Sequence, residues 1–295
     1  MRDLSLYIYI VLLLFSISPS PTLQEIKEAQ PLPALSIPER EPNAMTGSEF
    51  MDSISDISFE ERELRILEEI SAGNIPEFLR QLSTITTRFE DSSGKSYTVT
   101  FEVMPDYLSI GSNADFCRIP IGPITAQKLA DIFGATMPTR KLVDKIYDQS
   151  EIKLDPVPYY PVDNQNELVA KFIEHNVAIE KQREEKGAKL GNLTGGIKKD
   201  VVISNKIADP NRTHHVVIYG WHKLNGEPIQ PLYNGHIDSY TDYSHGIRFI
   251  NSRILIDGEI YDFKDILSDD RMFSIISDEE SPMIKTSYLK RSNSN

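Results

Sequence analysis

The sequence predicts an α+β fold in which N-terminal helices precede a mainly antiparallel C-terminal sheet, all in a single integrated domain. Two patterns carry that expectation. Helix caps followed by apolar residues at helical spacing dominate before about residue 190. Alternating β-branched and aromatic runs between short turns dominate after it. No stretch repeats at a fixed period, which argues against a solenoid or propeller.

Taken in order, residues 1–23 read as an export signal. Met1-Arg2 is a charged start, Leu6–Ile17 is almost unbroken apolar chain, and Ser16–Ser20 supplies small residues. The apolar run is shorter than the roughly 20 residues that span a bilayer. A secreted or periplasmic protein follows, with no integral membrane association after signal cleavage. Residues 24–55 are acidic and proline-rich (QPLPALSIPEREPN) and read as a disordered leader or linker. The domain then spans residues 56–295. Ser58-Phe59-Glu60-Glu61 is a capping box, continued by Leu64, Leu67 and Ile70 at helical spacing. Gly73-Asn74 ends that helix, and Ile75-Pro76 starts another to about Leu82. Tyr97–Val103 alternates as a strand after a turn at Ser92–Gly94. Helices are expected over Thr125–Phe133, closed by Gly134, from Pro138-Thr139 to about Tyr147, and from Glu167 to about Lys186. Strands are expected over Val201–Asn205, Val216–Trp221, Gly246–Ile250 and Arg253–Tyr261, the last turning at Asp257-Gly258 into a hairpin.

The net charge is −13, and between Glu25 and Ile70 acidic residues outnumber basic ones twelve to four. Nonspecific nucleic-acid binding needs a basic face for the phosphates, so nucleic acid is not an expected partner. The single Cys117 excludes an internal disulfide, which a chain of this length does not need to hold a core.

Five of the six histidines fall between His214 and His245, together with Trp221, the only tryptophan. Histidine transfers protons near neutral pH and is the commonest metal ligand, so the site is expected within residues 196–250. The densest piece runs from His236 to His245 and holds Asp238, Tyr240, Asp242 and Tyr243. Two histidines and a carboxylate can bind a divalent metal such as zinc, which makes His236, Asp242 and His245 a candidate metal set. No His-Glu-x-x-His pattern is present, so the same three residues serve equally as an acid–base set. His222 leaves the end of an expected strand, and Lys199 and Arg248 could steady an anion. Val217, Tyr219 and Trp221 are expected on one strand face, and at most one of His214 and His215 can reach a shared site. Trp221, Gln230, Tyr240 and Tyr243 are the candidate substrate-binding residues. Gln230 is mounted between Pro228 and Pro231.

Cys117 admits a third reading. KKDVVISN…HHVVIYGW is loosely similar to the paired strands of exported cell-wall cysteine peptidases, and that likeness implies Cys117 as nucleophile and His215 as its base. Against it, Arg118–Pro123 separates Cys117 from the next helix start, where a helix dipole would lower the thiol pKa. More broadly, DVVISN…IYGWH…GEPIQPLYNGHIDSYTDYSHGIR resembles a group of exported bacterial proteins without an assigned reaction. PDYLSIGSNADFCRIPI and AQKLADIFGATMPTRKLVDKIY extend the likeness over about Gly73–Glu280. The resemblance implies one domain and export, and it brings no catalytic residue. The resulting expectation is an exported hydrolase acting on cell-wall or other extracytoplasmic polymer. The alternatives are a noncatalytic saccharide- or peptide-binding protein and the papain-like peptidase.

Overall fold

Two capping boxes open the first two helices of the computed structural model, which describes residues 31–161 and 165–289. Thr46 and Glu49 cap Gly47–Ser53, and Ser58 and Glu61 cap Phe59–Ser71. Each box satisfies two orphan N–H groups reciprocally. The export signal expected over residues 1–23 lies outside the described residues.

The leader expected to end at residue 55 is corrected. Residues 31–40 carry no helix or strand, but Phe50, Met51 and Ile54 are fully buried in the main core. Arg40 pins the segment by donating to Asn74 Oδ1 at 3.0 Å and to the Ala44 carbonyl at 2.8 Å. Arg80 donates to the Pro38 carbonyl at 2.6 Å. Full burial of a large apolar side chain contributes about 1.5–3 kcal/mol, so three of them outweigh the polar composition around them.

The helix expected from Ile75 to Leu82 shrinks to one 3₁₀ turn, Glu77–Arg80. The chain then enters a strand that the sequence reading missed, Ser83–Glu90, paired antiparallel along its whole length with Ser96–Val103. Only Ile85 and Phe89 are buried along it, so the period-2 apolar pattern is absent from the sequence. Ser96–Val103 is the centre of a six-stranded antiparallel sheet. On its other side lie Arg253–Ile256 and Ile250–Asn251, flanked by Glu259–Asp262 and Ala135–Thr136 respectively. The expected hairpin is present, with φ of 50° at Asp257 and 85° at Gly258. Two consecutive positive φ values are what a tight type I′ turn requires.

A second sheet positions the site. Its strand order is Pro228–Tyr233, Ile218–His222, Lys199–Val201, His245–Gly246, and the last pair alone is parallel. The expected strand Gly246–Ile250 is divided: His245–Gly246 belongs to this sheet and Ile250–Asn251 to the six-stranded one. The chain between them crosses the interior and buries Arg248.

Helices cover these sheets. Pro123–Phe133 ends on left-handed Gly134, and Arg140–Gln149 starts on the Thr139 cap and packs on Ile218–His222. Val169–Glu185 packs on the short strand Phe116–Arg118. Its rotation is set by buried Arg118, which bonds Asn176 Oδ1 at 3.0 Å and Glu180 at 2.8 Å while pairing with Asp106 at 2.6 Å. The α+β expectation holds, with one correction of emphasis: the two longest strands lie before residue 104.

Candidate functional site

Two left-handed residues decide where the histidines point. Gly220 has φ of 100° and Trp221 has φ of 57°. The first is ordinary for glycine; the second is an outlier for a bulky side chain. Together they break the alternation expected along Val216–Trp221. Tyr219 and His222 end up as neighbours, with ring centroids 5.8 Å apart. Trp221 turns instead toward Tyr243, at 6.3 Å, and lies under the Lys199 ammonium at 5.3 Å. The expected sharing of a face by Tyr219 and Trp221 is therefore corrected.

On the Trp221 side, parallel pairing places His245 beside Lys199. Asp242 stands next to both. Its Oδ1 accepts from the Ser244 N–H at 2.8 Å and the Ser244 hydroxyl at 2.5 Å. Its Oδ2 accepts from the Tyr240 hydroxyl at 3.2 Å and lies 3.7 Å from Lys199 Nζ. Burial by itself would raise the Asp242 pKa, but His245, Lys199 and the Ser244 bonds outweigh it and hold the carboxylate well below the usual range.

His245 is 1% exposed, and its Nε2 has no partner among the described residues. Burial pushes its pKa down to about 4, Asp242 opposes this, and Lys199, His236 and Lys198 add to it. The ring is therefore neutral near pH 7. His236 completes the group from a half-buried position, stacked on Tyr240 at 4.3 Å and 6.1 Å from the His245 ring. Burial lowers its pKa too, helped by Lys199. The set His236–Asp242–His245 is thus brought together, with Lys199 and Tyr240 against it.

Behind this group lie residues that sequence reasoning missed. Lys198 is buried, donates to the Tyr243 carbonyl, and is driven by desolvation down to about 7. His175, the sixth histidine, is fully buried on Val169–Glu185 with its ring 5.1 Å from that of Tyr243. Both its nitrogens lack partners among the described residues, as do Trp221 Nε1 and Thr241 Oγ1 nearby. The signal for His175 was available: Val169, Phe172, His175 and Ile179 form the buried stripe of that helix.

Other expectations fall elsewhere. His222 and Arg248 do not join the His245 group. His222 donates from Nε2 to Asp144 at 3.0 Å, and Arg248 donates to the carbonyls of Met104, Pro105 and Thr194. Gln230 bonds only the adjacent Pro231 carbonyl, on the outer strand. Trp221 and Tyr243 are 4% and 3% exposed, so they pack behind the site rather than line an open cleft. Among the described residues no group of three or more His, Cys, Asp or Glu side chains is arranged to hold a metal ion. The Asp242 oxygens are engaged by Ser244, Tyr240 and Lys199.

The cysteine reading finds no geometry either. Cys117 lies in the core strand Phe116–Arg118, and burial pushes its thiol up to about 11. His215 bonds the Thr213 carbonyl at 2.9 Å, away from any contact with Cys117. Comparison with protein families, curated proteins and solved structures finds no match to this chain.

Proposed function

We propose that the protein is a hydrolase of an extracytoplasmic polymer and that His245 is its general base. One observation carries the reading: a buried, neutral imidazole with an unpartnered Nε2 stands beside an ionised carboxylate, Asp242. A neutral ring can accept a proton from water, and the adjacent carboxylate stabilises the imidazolium that forms. Lys199 then faces the oxyanion that develops on the substrate, and half-buried His236 and Tyr240 form the substrate-side wall. The metal-free version is preferred because Asp242 has its oxygens occupied. The extracytoplasmic setting rests on the sequence of residues 1–23 alone.

A second reading, a noncatalytic binding module, is supported by the rings of Tyr240, stacked on His236, and Tyr233, set edge-on to it, near the surface. Such a wall suits a sugar face. The test is fragment release from purified peptidoglycan and from soluble polysaccharides, read by mass spectrometry, with metal content measured on the same sample. Wild type should release fragments without stoichiometric metal, and His245→Ala and Asp242→Asn should not. Saturable binding with no turnover in wild type favours the binding module. Release by His245→Ala at the wild-type rate removes His245 from the mechanism.

A further inference from the structure

The four-stranded sheet carries a second polar centre on its other face. Asp200 follows Lys199 in the strand, so its side chain points the opposite way. It is buried, and its Oδ2 accepts from the Tyr107 hydroxyl at 2.8 Å. Arg248 lies 4.2 Å over the Tyr107 ring. Across from Asp200, the His222 ring stacks on Tyr147 at 4.5 Å, and its Nε2 donates to Asp144 at 3.0 Å. Asp144 also accepts from the Tyr219 hydroxyl at 2.7 Å. The His222 side chain is 5% exposed, whereas that of Asp144 is 46% exposed, so the pair runs from interior to solvent.

A cavity of about 10 Å³ lies between the two halves, with Tyr107, Asp200, His222 and Arg248 among its walls. That volume holds about one water, and the walls supply the polar partners a buried water needs. Gly220 borders this group: a Cβ there would lie 3.3 Å from Val143 Cγ1, 3.4 Å from His222 Cε1 and 3.5 Å from Asp200 Oδ2.

We propose that this cavity binds a single water and that His222 relays protons between it and Asp144, placing the buried Asp200 in proton exchange with bulk solvent. With Nε2–H donated to Asp144, the neutral form of the ring carries its lone pair on Nδ1. On release, the Asp200 O–H gives its proton to the water as that water gives one of its own to Nδ1. The Nε2 proton passes to Asp144 and from there to bulk water. One O–H bond is lost at Asp200, one hydronium forms outside, and the cavity water is unchanged. The imidazole is left in its other tautomer, and a proton returning by the same route restores the first.

The groups facing Asp200 come from every neighbouring element: Tyr107, Arg248, Asp144 and Tyr147 of the helix Arg140–Gln149, and Tyr219 and His222 of the next strand. Burial raises the Asp200 pKa to about 6, opposed by Arg248, the Tyr107 bond and His222, so the acid changes state within an ordinary pH range.

Infrared difference spectroscopy on the full chain tests this. In the carboxylic-acid region above about pH 5, to which buried Glu63 can also contribute, Asp200→Asn should lose the Asp200 component. After a pH jump that component should relax at least about tenfold more slowly in His222→Gln and in Asp144→Asn than in wild type. Asp144 is at the surface, so its variant keeps the test alive if His222→Gln fails to fold. Matching wild-type and Asp200→Asn spectra in this region overturn the buried acid. Equal relaxation in wild type and Asp144→Asn overturns the relay.

Discussion

Asp200→Asn should make the protein more stable at neutral pH while leaving it nearly unchanged in acid. In the folded chain Asp200 keeps its proton up to about pH 6, against an ordinary value of 3.8. Between those values the folded state binds more protons than the unfolded state, so this group's contribution to stability falls as pH rises. It is fully present below the ordinary value and is gone above about pH 6. The two values lie about two pH units apart, which corresponds to about 3 kcal/mol. Asparagine keeps the shape and can still accept from the Tyr107 hydroxyl, but it cannot ionise. In urea unfolding, the variant should lie within about 1 kcal/mol of wild type near pH 4 and should gain about 3 kcal/mol on it by pH 7.5. A constant offset across that range would refute the argument, because an exposed or fully paired carboxylate gives no such slope.

Four further outcomes are expected. The His245 imidazole should titrate near pH 4 by NMR, and a midpoint near 6.5 would contradict its burial beside Lys199. Asp242→Asn should cost about 3 kcal/mol at pH 7, since it strips a buried carboxylate from Lys199 and Ser244. Because the Asp242 pKa is depressed, that gap should narrow as pH falls below the ordinary value of 3.8, which urea titrations in acid will show. Native Cys117 should resist a mild thiol reagent and label only on unfolding, given a thiol pushed up to about 11 inside the core. Gly220→Ala should lower stability by at least about 1–2 kcal/mol, since alanine at φ of 100° is strained and its methyl group presses on Val143 at 3.3 Å.

Local chemistry made much of the fold legible. The Ser58 capping box, the Gly134 helix end and the Asp257-Gly258 hairpin each depend on a few adjacent residues, and each is where the sequence places it. The proximity of Asp242, His245 and His236 is less local, since ten extended residues can span about 30 Å and the loop must fold back to bring them together. Ser83–Glu90 was illegible for a physical reason: it is held by its full-length ladder to Ser96–Val103 rather than by an alternating apolar face. The short segment around Phe50 misled because composition averages over thirty residues, while three buried side chains decide whether it docks.

The sequence alone determined the α+β class and that imidazoles crowd into one stretch. Only the tertiary structure decided that they serve two different centres. Positive φ values at Gly220 and Trp221, the second not announced by any glycine, put His222 on the Tyr219 side of the sheet and Trp221 on the other. Parallel pairing of residues far apart in the chain then sets Lys199 beside His245, and alternation sends Asp200 to the His222 side. Side-chain direction in a strand depends on single backbone angles and on which strands become neighbours, and neither is written in the spacing of residues along the chain.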